Sequence, residues 1–389
     1  TMSDPVVKIK AFIVTIPRDE PYLGALRPGE EPNAKGYFIR KKNRTVYPTV
    51  DRSVLLKMET KNGVVGWGET YGIVAPRATV ALIEDLLADF VIGRDPMDRE
   101  VIHDDLYDLM RVRGYNGGFY LDALAALDIA LWDIAAKQAN VSVAKLLGGQ
   151  RHETVPAYIS GLPKSTLKER VAFAADWAAK GFDSFKFAAP VADDGVVKEM
   201  TSLREALGGD VRIACDLHWV HTADQAVTLI RSLESQDLWF AEAPVRTEDI
   251  DGLAKVSRSV GTTIAAGEEW RTVFDAALRI NKKACGIVQP EMGHTGITQF
   301  MRISRYAEAH HLEIIPHATI GVGIFLAASI QASAALSACS CHEFQHSIFK
   351  KNLRYLDTDM ACENGQYSIP SGVGLGVTPD EEALKPLIS

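Results

Sequence analysis

The chain has 389 residues, long enough for a barrel plus a smaller partner domain, and its 47% hydrophobic and 24% charged content is that of a soluble globular protein. A formal net charge of −8 argues against a nucleic-acid or anionic-membrane partner, because holding phosphates needs a concentrated positive field. An anionic small molecule stays compatible with that charge, since a metal and a few Lys or Arg residues can invert the field locally.

The β-branched runs VVKIKAFIVTI (6–16) and SVLLKMET (53–60) read as strands, and the turn KNG leads into a third, VVGWGET (64–70). The polar segment 18–48 between them carries Arg27, Arg40, Lys41, Lys42 and Arg44. Unstructured loops of more than ~12–15 residues are uncommon unless they act as lids, so a lid over a binding site is expected here, with a solvated surface loop as the alternative. LDALAALDIALWDIAAKQ (121–138) has apolar residues at helical spacing and should be a buried helix, closed by Gly148–Gly149. A strand follows near 154–159. Strand and helix then alternate, with short apolar strands near 184–187, 211–216, 238–242, 263–267, 286–289 and 313–316. At least seven strands in about 190 residues fit a (β/α)₈-type barrel. The run 321–336 reads as a buried helix rather than a membrane span, and beyond about 350 the alternation stops. Cys215, Cys285, Cys339, Cys341 and Cys362 show no paired CxxC spacing and suit a reducing cytoplasm, and TMSDPVVKIK has no apolar signal core.

Functional side chains of a parallel barrel gather where its strands end. Those positions offer Lys186, then Asp216 with His218, then Glu242, Glu268, Glu291 and His317. Asp216, Glu242 and Glu268 follow one another at intervals of 26 residues, one βα unit each, so three carboxylates converge on the barrel mouth. Crowded carboxylates repel one another unless protonated or neutralised by a cation. Three hard oxygen ligands with room for water and substrate suit an octahedral Mg²⁺. A lone acid at such a place would be an ordinary ion pair; three in register point to a metal.

Glu291 and His317 follow neighbouring strands, so the carboxylate can orient the imidazole as a base. His218 lies two residues past Asp216 and, on a continuing strand, faces the same way as a proton donor. His294, in the loop of Glu291, is the weaker candidate. Lys186 could serve as a base or as a carboxylate clamp, while Ala188, the next position of the same orientation, can do no acid–base work. Glu343 near the eighth strand could donate a hydrogen bond to substrate if a low-dielectric site keeps it protonated. No P-loop, GxGxxG, GxSxG or HExxH is present, which removes the usual support for phosphoryl transfer, hydride transfer and serine or zinc hydrolysis.

GVVGWGE, ALDIALWDIAAK, LLGG, GFDSFKF, CDLHW, WFAEAP, AAGEEW, VQPEMGHTGI and IIPHATIG, taken in order, resemble the enolase superfamily, in particular its mandelate racemase-like acid-sugar dehydratases. The resemblance implies an α/β modified TIM barrel, (β/α)₇β, over residues 141–350. It implies an α+β capping domain over 1–140, completed by a returning segment, 351–389. It also implies Mg²⁺ on Asp216, Glu242 and Glu268, His317 as base with Glu291, Lys186 and Glu343 on the enediolate, and His218 protonating the departing β-hydroxyl. Family members commonly carry Asp where this chain has Glu291, and racemases of this branch carry a second Lys where it has Ala188. A missing second base favours β-elimination to a 2-keto-3-deoxy acid over racemisation, with a sugar-acid epimerase or lactone cycloisomerase as the alternative. KFA with DLHW resembles dehydratases of six-carbon aldonates or aldarates, and a basic loop able to clamp a distal carboxylate makes galactarate the first expectation. A homo-oligomer is also expected.

Overall fold

The computed structural model describes residues 3–318 and 321–389, so Thr319 and Ile320 of the IIPHATIG motif lie outside the described residues. Five strands come first: β1 (Val6–Ile16), β2 (Tyr37–Arg40), β3 (Thr45–Pro48), β4 (Asp51–Thr60) and β5 (Val65–Tyr71). β1, β4 and β5 form an antiparallel sheet, and β2–β3 a separate hairpin. The helix Gly118–Gln138 is apolar on nearly every side and is accordingly buried, packing on β5 and against the helix Met292–Ala309. Close approach requires Gly68 on β5, where a Cβ would lie 1.9 Å from the Ala126 carbonyl oxygen. Two acids of the LDIALWD stretch turn inward as backbone acceptors. Asp128 accepts from Thr298 N–H, and Asp133 from Trp67 and Leu375 N–H, so one helix ties the first sheet, the barrel and the tail together.

Eight parallel strands make the barrel: β6 (Thr154–Ser160), β7 (Ser184–Ala188), β8 (Arg212–Asp216), β9 (Leu238–Glu242), β10 (Thr263–Ala266), β11 (Ile287–Val288), β12 (Glu313–Ile314) and β13 (His342–Phe344). They pair in chain order, β13 pairs with β6, and an Ile314–Cys339 bridge closes the ring. Among the described residues seven α-helices connect them, which gives the (β/α)₇β architecture that the resemblance implied, one helix fewer than the (β/α)₈ type read from the alternation. Three of these helices start with reciprocal caps, Thr166 with Glu169, Thr222 with Gln225 and Thr272 with Asp275. Tyr158, Ala214, Phe240, Ala265, Ile287, Ile315 and Cys341 fill the bore, large beside small, so the barrel is a packed core with its chemistry at one rim. The tail pairs Gln366–Ser368 with β6 and bridges Ile388 to Val14 of β1. No helix among the described residues is long and apolar enough to cross a membrane.

Two local expectations need correction. The helix ends at Gln138 rather than at Gly148–Gly149, and a separate turn, Val143–Leu146, capped by Ser142, precedes those glycines. Segment 18–48 is not an irregular loop, because it holds the β2–β3 hairpin. Three of its basic residues, Arg27, Arg40 and Lys42, are committed to ion pairs. Arg40 is buried on Glu30 at 2.7 Å and also donates to the Tyr22, Gly24 and Ala25 carbonyls. Arg27 and Lys42 both pair with Asp193, at 3.2 and 2.8 Å.

Candidate active site

Parallel pairing sets the register of the acids. Ala188, Asp216 and Glu242 are successive cross-strand partners on β7, β8 and β9, and Glu268 lies two residues beyond β10. Ligand oxygens of Asp216, Glu242 and Glu268 all fall within 4.8 Å of one another. Glu242 Oε1 and Glu268 Oε2 are buried without a hydrogen bond of good geometry, although His317 Nε2 stands 3.2 Å from the latter. Burial pushes the Glu268 carboxyl well above its usual range, with His317 opposing and Glu242 and Asp216 reinforcing the shift. Three hard oxygen donors with two unmet acceptors are the arrangement that a Mg²⁺ ion would complete.

On one side of this cluster, His317 Nδ1 lies 2.6 Å from Glu291 Oε2, which makes Nδ1 the protonated nitrogen and leaves Nε2 facing the acids. Nε2 is 3.2 Å from Glu268 and 3.4 Å from Glu343. Burial opposes a charge on the ring, but Glu268, Glu343 and Glu291 outweigh it and hold its pKa well above normal. Glu291 is itself fixed by Gly293 N–H at 3.0 Å.

At the centre, Lys186 Nζ bonds Glu242 at 2.6 Å and Glu343 at 2.5 Å. Burial works against this ammonium, yet the two carboxylates outweigh it and raise its pKa well above normal. The expectation of a protonated Glu343 is corrected for the same reason. Burial disfavours its charge, but Lys186 and His317 hold it down at about 2, and Tyr158 OH, Ser160 Oγ and Ala318 N–H all donate to it. It is a carboxylate that positions donors.

His218 is at the site, though not on a continuing strand. β8 ends at Asp216, and His218 and Trp219 take left-handed backbone with φ of 52° and 56°. This turn brings the ring back, with Nε2 2.8 Å from Asp216 Oδ2 and its backbone N–H on Asp216 Oδ1. Asn43, in the turn between β2 and β3, places its side-chain amide 3.2 Å from His218 Nδ1. His294 is not part of the cluster: it bonds Asp122 at 2.8 Å and lies against the Tyr71 ring.

Sequence reasoning missed Tyr158, Ser160, Gln289 and Asn43. Tyr158 and Ser160 face the same way by the two-residue strand period and sit at the end of β6, a signal that could have found them. Gln289, next to β11 and ahead of Pro290–Glu291, donates to Glu242 Oε2 at 3.0 Å. Nothing local marks Asn43, whose partner is 175 residues away.

Glu69 also escaped notice although it lies in the GWGE string. The helix Ile324–Ala335 starts at Gly323, which has no capping side chain. Glu69 of β5 caps it instead, taking N–H bonds from Val322, Gly323, Ile324 and Phe325 and the Ser53 hydroxyl. Glu69→Gln puts a donor among donors and should cost about 2–4 kcal/mol of stability. A urea midpoint shifted down at unchanged slope would show it, and an unshifted midpoint would count against the cap.

These groups open into a cavity of about 440 Å³ lined by Lys186, Ala188, Asp216, His218, Glu268, His317 and Glu343 at one end and by Arg18, Asp51, Lys164, His346 and Lys351 elsewhere. Among the described residues of segment 18–48, Arg18 is the cation that lines it; Arg27, Arg40, Lys41, Lys42 and Arg44 do not.

The profile of the mandelate racemase / muconate lactonizing enzyme N-terminal domain matches residues 42–148, and that of the enolase C-terminal domain-like family matches residues 169–383. A D-galactarolactone cycloisomerase of Agrobacterium fabrum is 32% identical over 346 residues, 85% of this chain and 90% of the relative. A D-galactonate dehydratase of Xanthomonas euvesicatoria is 32% identical over 361 residues, 88% and 92% of the two chains. A crystal structure from Sinorhizobium meliloti, provisionally described as an isomerase, is 67% identical with a TM-score of 0.98, covering 99% of this chain and 100% of that one. With both halves of the fold matched and the barrel mouth so equipped, the chain belongs to the enolase superfamily, in its mandelate racemase and muconate lactonizing branch.

Proposed function

We propose that this enzyme is a Mg²⁺-dependent acid-sugar dehydratase. The observation that carries this reading is an asymmetric acid–base set: a carboxylate-backed His317 on one side and an inert Ala188 beside Asp216 on the other. Magnesium held by Asp216, Glu242 and Glu268 would neutralise the charge that builds on the substrate carboxylate as the α-proton leaves. With the Glu268 charge, which otherwise keeps the ring protonated, taken up by the metal, His317 Nε2 would be free to take that proton, with Glu291 fixing the tautomer through Nδ1. Lys186, kept cationic by Glu242 and Glu343, holds a carboxylate oxygen, and Glu343 aims the Tyr158 and Ser160 hydroxyls. His218, as an imidazolium, gives its Nε2 proton to the β-hydroxyl, which departs as water when the C–O bond breaks, and the ring returns to neutral imidazole. The enol left behind tautomerises to a 2-keto-3-deoxy acid.

The relatives' substrates put six-carbon galacto acids first in any screen, D-galactonate and galactarate among them. Proton NMR in D₂O with Mg²⁺ tests the reading: a 2-keto-3-deoxy product should form from at least one hexonate or hexarate. A second reading, lactone cycloisomerisation, draws on the cycloisomerase relative and on the Sinorhizobium structure. It also needs one base. Rearrangement of a sugar lactone with no keto product would select it and end the dehydratase reading.

A further inference from the structure

One wall of the cavity is made of groups with no part in the proposed chemistry. Arg18, two residues past β1, and Asp51, the first residue of β4, pair at 2.8 Å with side chains only 11% and 7% exposed. Arg18 Nε also donates to the Glu20 carbonyl, and its guanidinium lies 5.8 Å from the centre of the Tyr22 ring. Lys351 bonds Asp19, and Lys186 is held by Glu242 and Glu343. His346 Nε2 donates to the Gly161 carbonyl at 2.8 Å, and burial holds its pKa down at about 4, so this ring is neutral. Lys164 is the exposed exception, its ammonium 5.3 Å from the centre of the Phe173 ring.

Thus, among the described residues lining the cavity, every Lys or Arg but Lys164 already has a carboxylate partner. Asp19, Glu20 and Asp51 share the wall with them. A second carboxylate placed beside Arg18 and Asp51 would lose water and meet acids, with the exposed Lys164 as the one uncommitted cation of the described lining. A hydroxyl meets the opposite situation, because a paired Arg18 and Asp51 offer it both a donor and an acceptor.

We propose that the cavity selects acid sugars with one carboxylate and a neutral, hydroxyl-bearing far end (aldonates, or the monolactones of diacids) and discriminates against open diacids through the Arg18–Asp51 pair. This rests on the acid-sugar reading of the site. Calorimetric titration of the Mg²⁺-loaded His317→Asn protein with aldonates and aldarates matched at C2–C5 reads the preference without turnover. The aldonate of a matched pair should bind at least about tenfold tighter. Asp51→Asn, nearly isosteric, uncovers the Arg18 charge and should shrink or reverse that ratio. Arg18→Gln should not weaken the diacid selectively.

Tighter or equal diacid binding overturns the inference, as does an unchanged ratio in Asp51→Asn or a diacid-specific loss in Arg18→Gln. So does failure of every sugar to bind. Tight aldonate binding by a protein whose unmutated form yields no keto acid would defeat the dehydratase reading alone and leave the selectivity standing.

Discussion

His317→Asn should lower turnover by about 10³-fold or more while substrate affinity changes by no more than about threefold. The imidazole is the group that combines three properties: it faces the three metal-ligand candidates, it is backed by a carboxylate at 2.6 Å, and it has a second nitrogen open to the cavity. Asparagine keeps a polar atom near Nδ1 and so keeps the Glu291 contact, but its amide cannot take a proton. Loss should therefore fall on kcat. Exchange of the substrate α-proton with D₂O should vanish in parallel, because it reports proton removal whether or not the hydroxyl departs. A variant that still exchanges at the unmutated rate would remove His317 from the base role, and Glu291→Gln should show the same defect in weaker form.

Chelation of divalent cations should leave less than about 1% of the Mg²⁺-supported rate, with full recovery on adding Mg²⁺ back. The physical basis is the crowding of Asp216, Glu242 and Glu268 and the two buried oxygens without a hydrogen bond of good geometry. Without a cation these crowded acids repel one another. The ion should thus stabilise the fold as well as the reaction. At magnesium about a hundredfold above its Kd, linkage supplies about 2.7 kcal/mol, or a melting temperature higher by about 3 °C. An unmoved melting curve together with full activity in excess EDTA would dismiss the metal centre. Glu268→Gln should abolish both responses.

The barrel and its acids were legible because they depend on short-range pattern. A strand of fixed length followed by a helix of fixed length returns the chain to the same rim, so intervals of 26 residues place Asp216, Glu242 and Glu268 side by side. His317 and Glu291 are legible on the same grounds. What the pattern cannot carry is state and direction. Glu343 looks like an acid that burial would protonate, yet Lys186, 157 residues away, keeps it ionised. His218 looks like a strand residue, yet a left-handed turn aims it. The basic segment 18–48 looks like a clamp, yet Arg40 is taken up by Glu30, and Arg27 and Lys42 by Asp193, 151 residues past Lys42. Charge counts read from a string miss such neutralisation, because partner choice is settled only once distant segments meet.

Glu69 carries a consequence for how such enzymes can be recombined. The residues it grips, Val322 to Phe325, lie just past His317 in the chain, while Glu69 and its partner Ser53 belong to the first sheet. A chimera that joined this barrel to the N-terminal sheet of a relative would inherit the base but not the clasp that holds its loop, unless β4 and β5 travelled with it. Productive crossovers between relatives should therefore keep Ser53, Glu69 and 322–325 from one parent, and a split placed between them should give folded barrels that bind magnesium but turn over poorly.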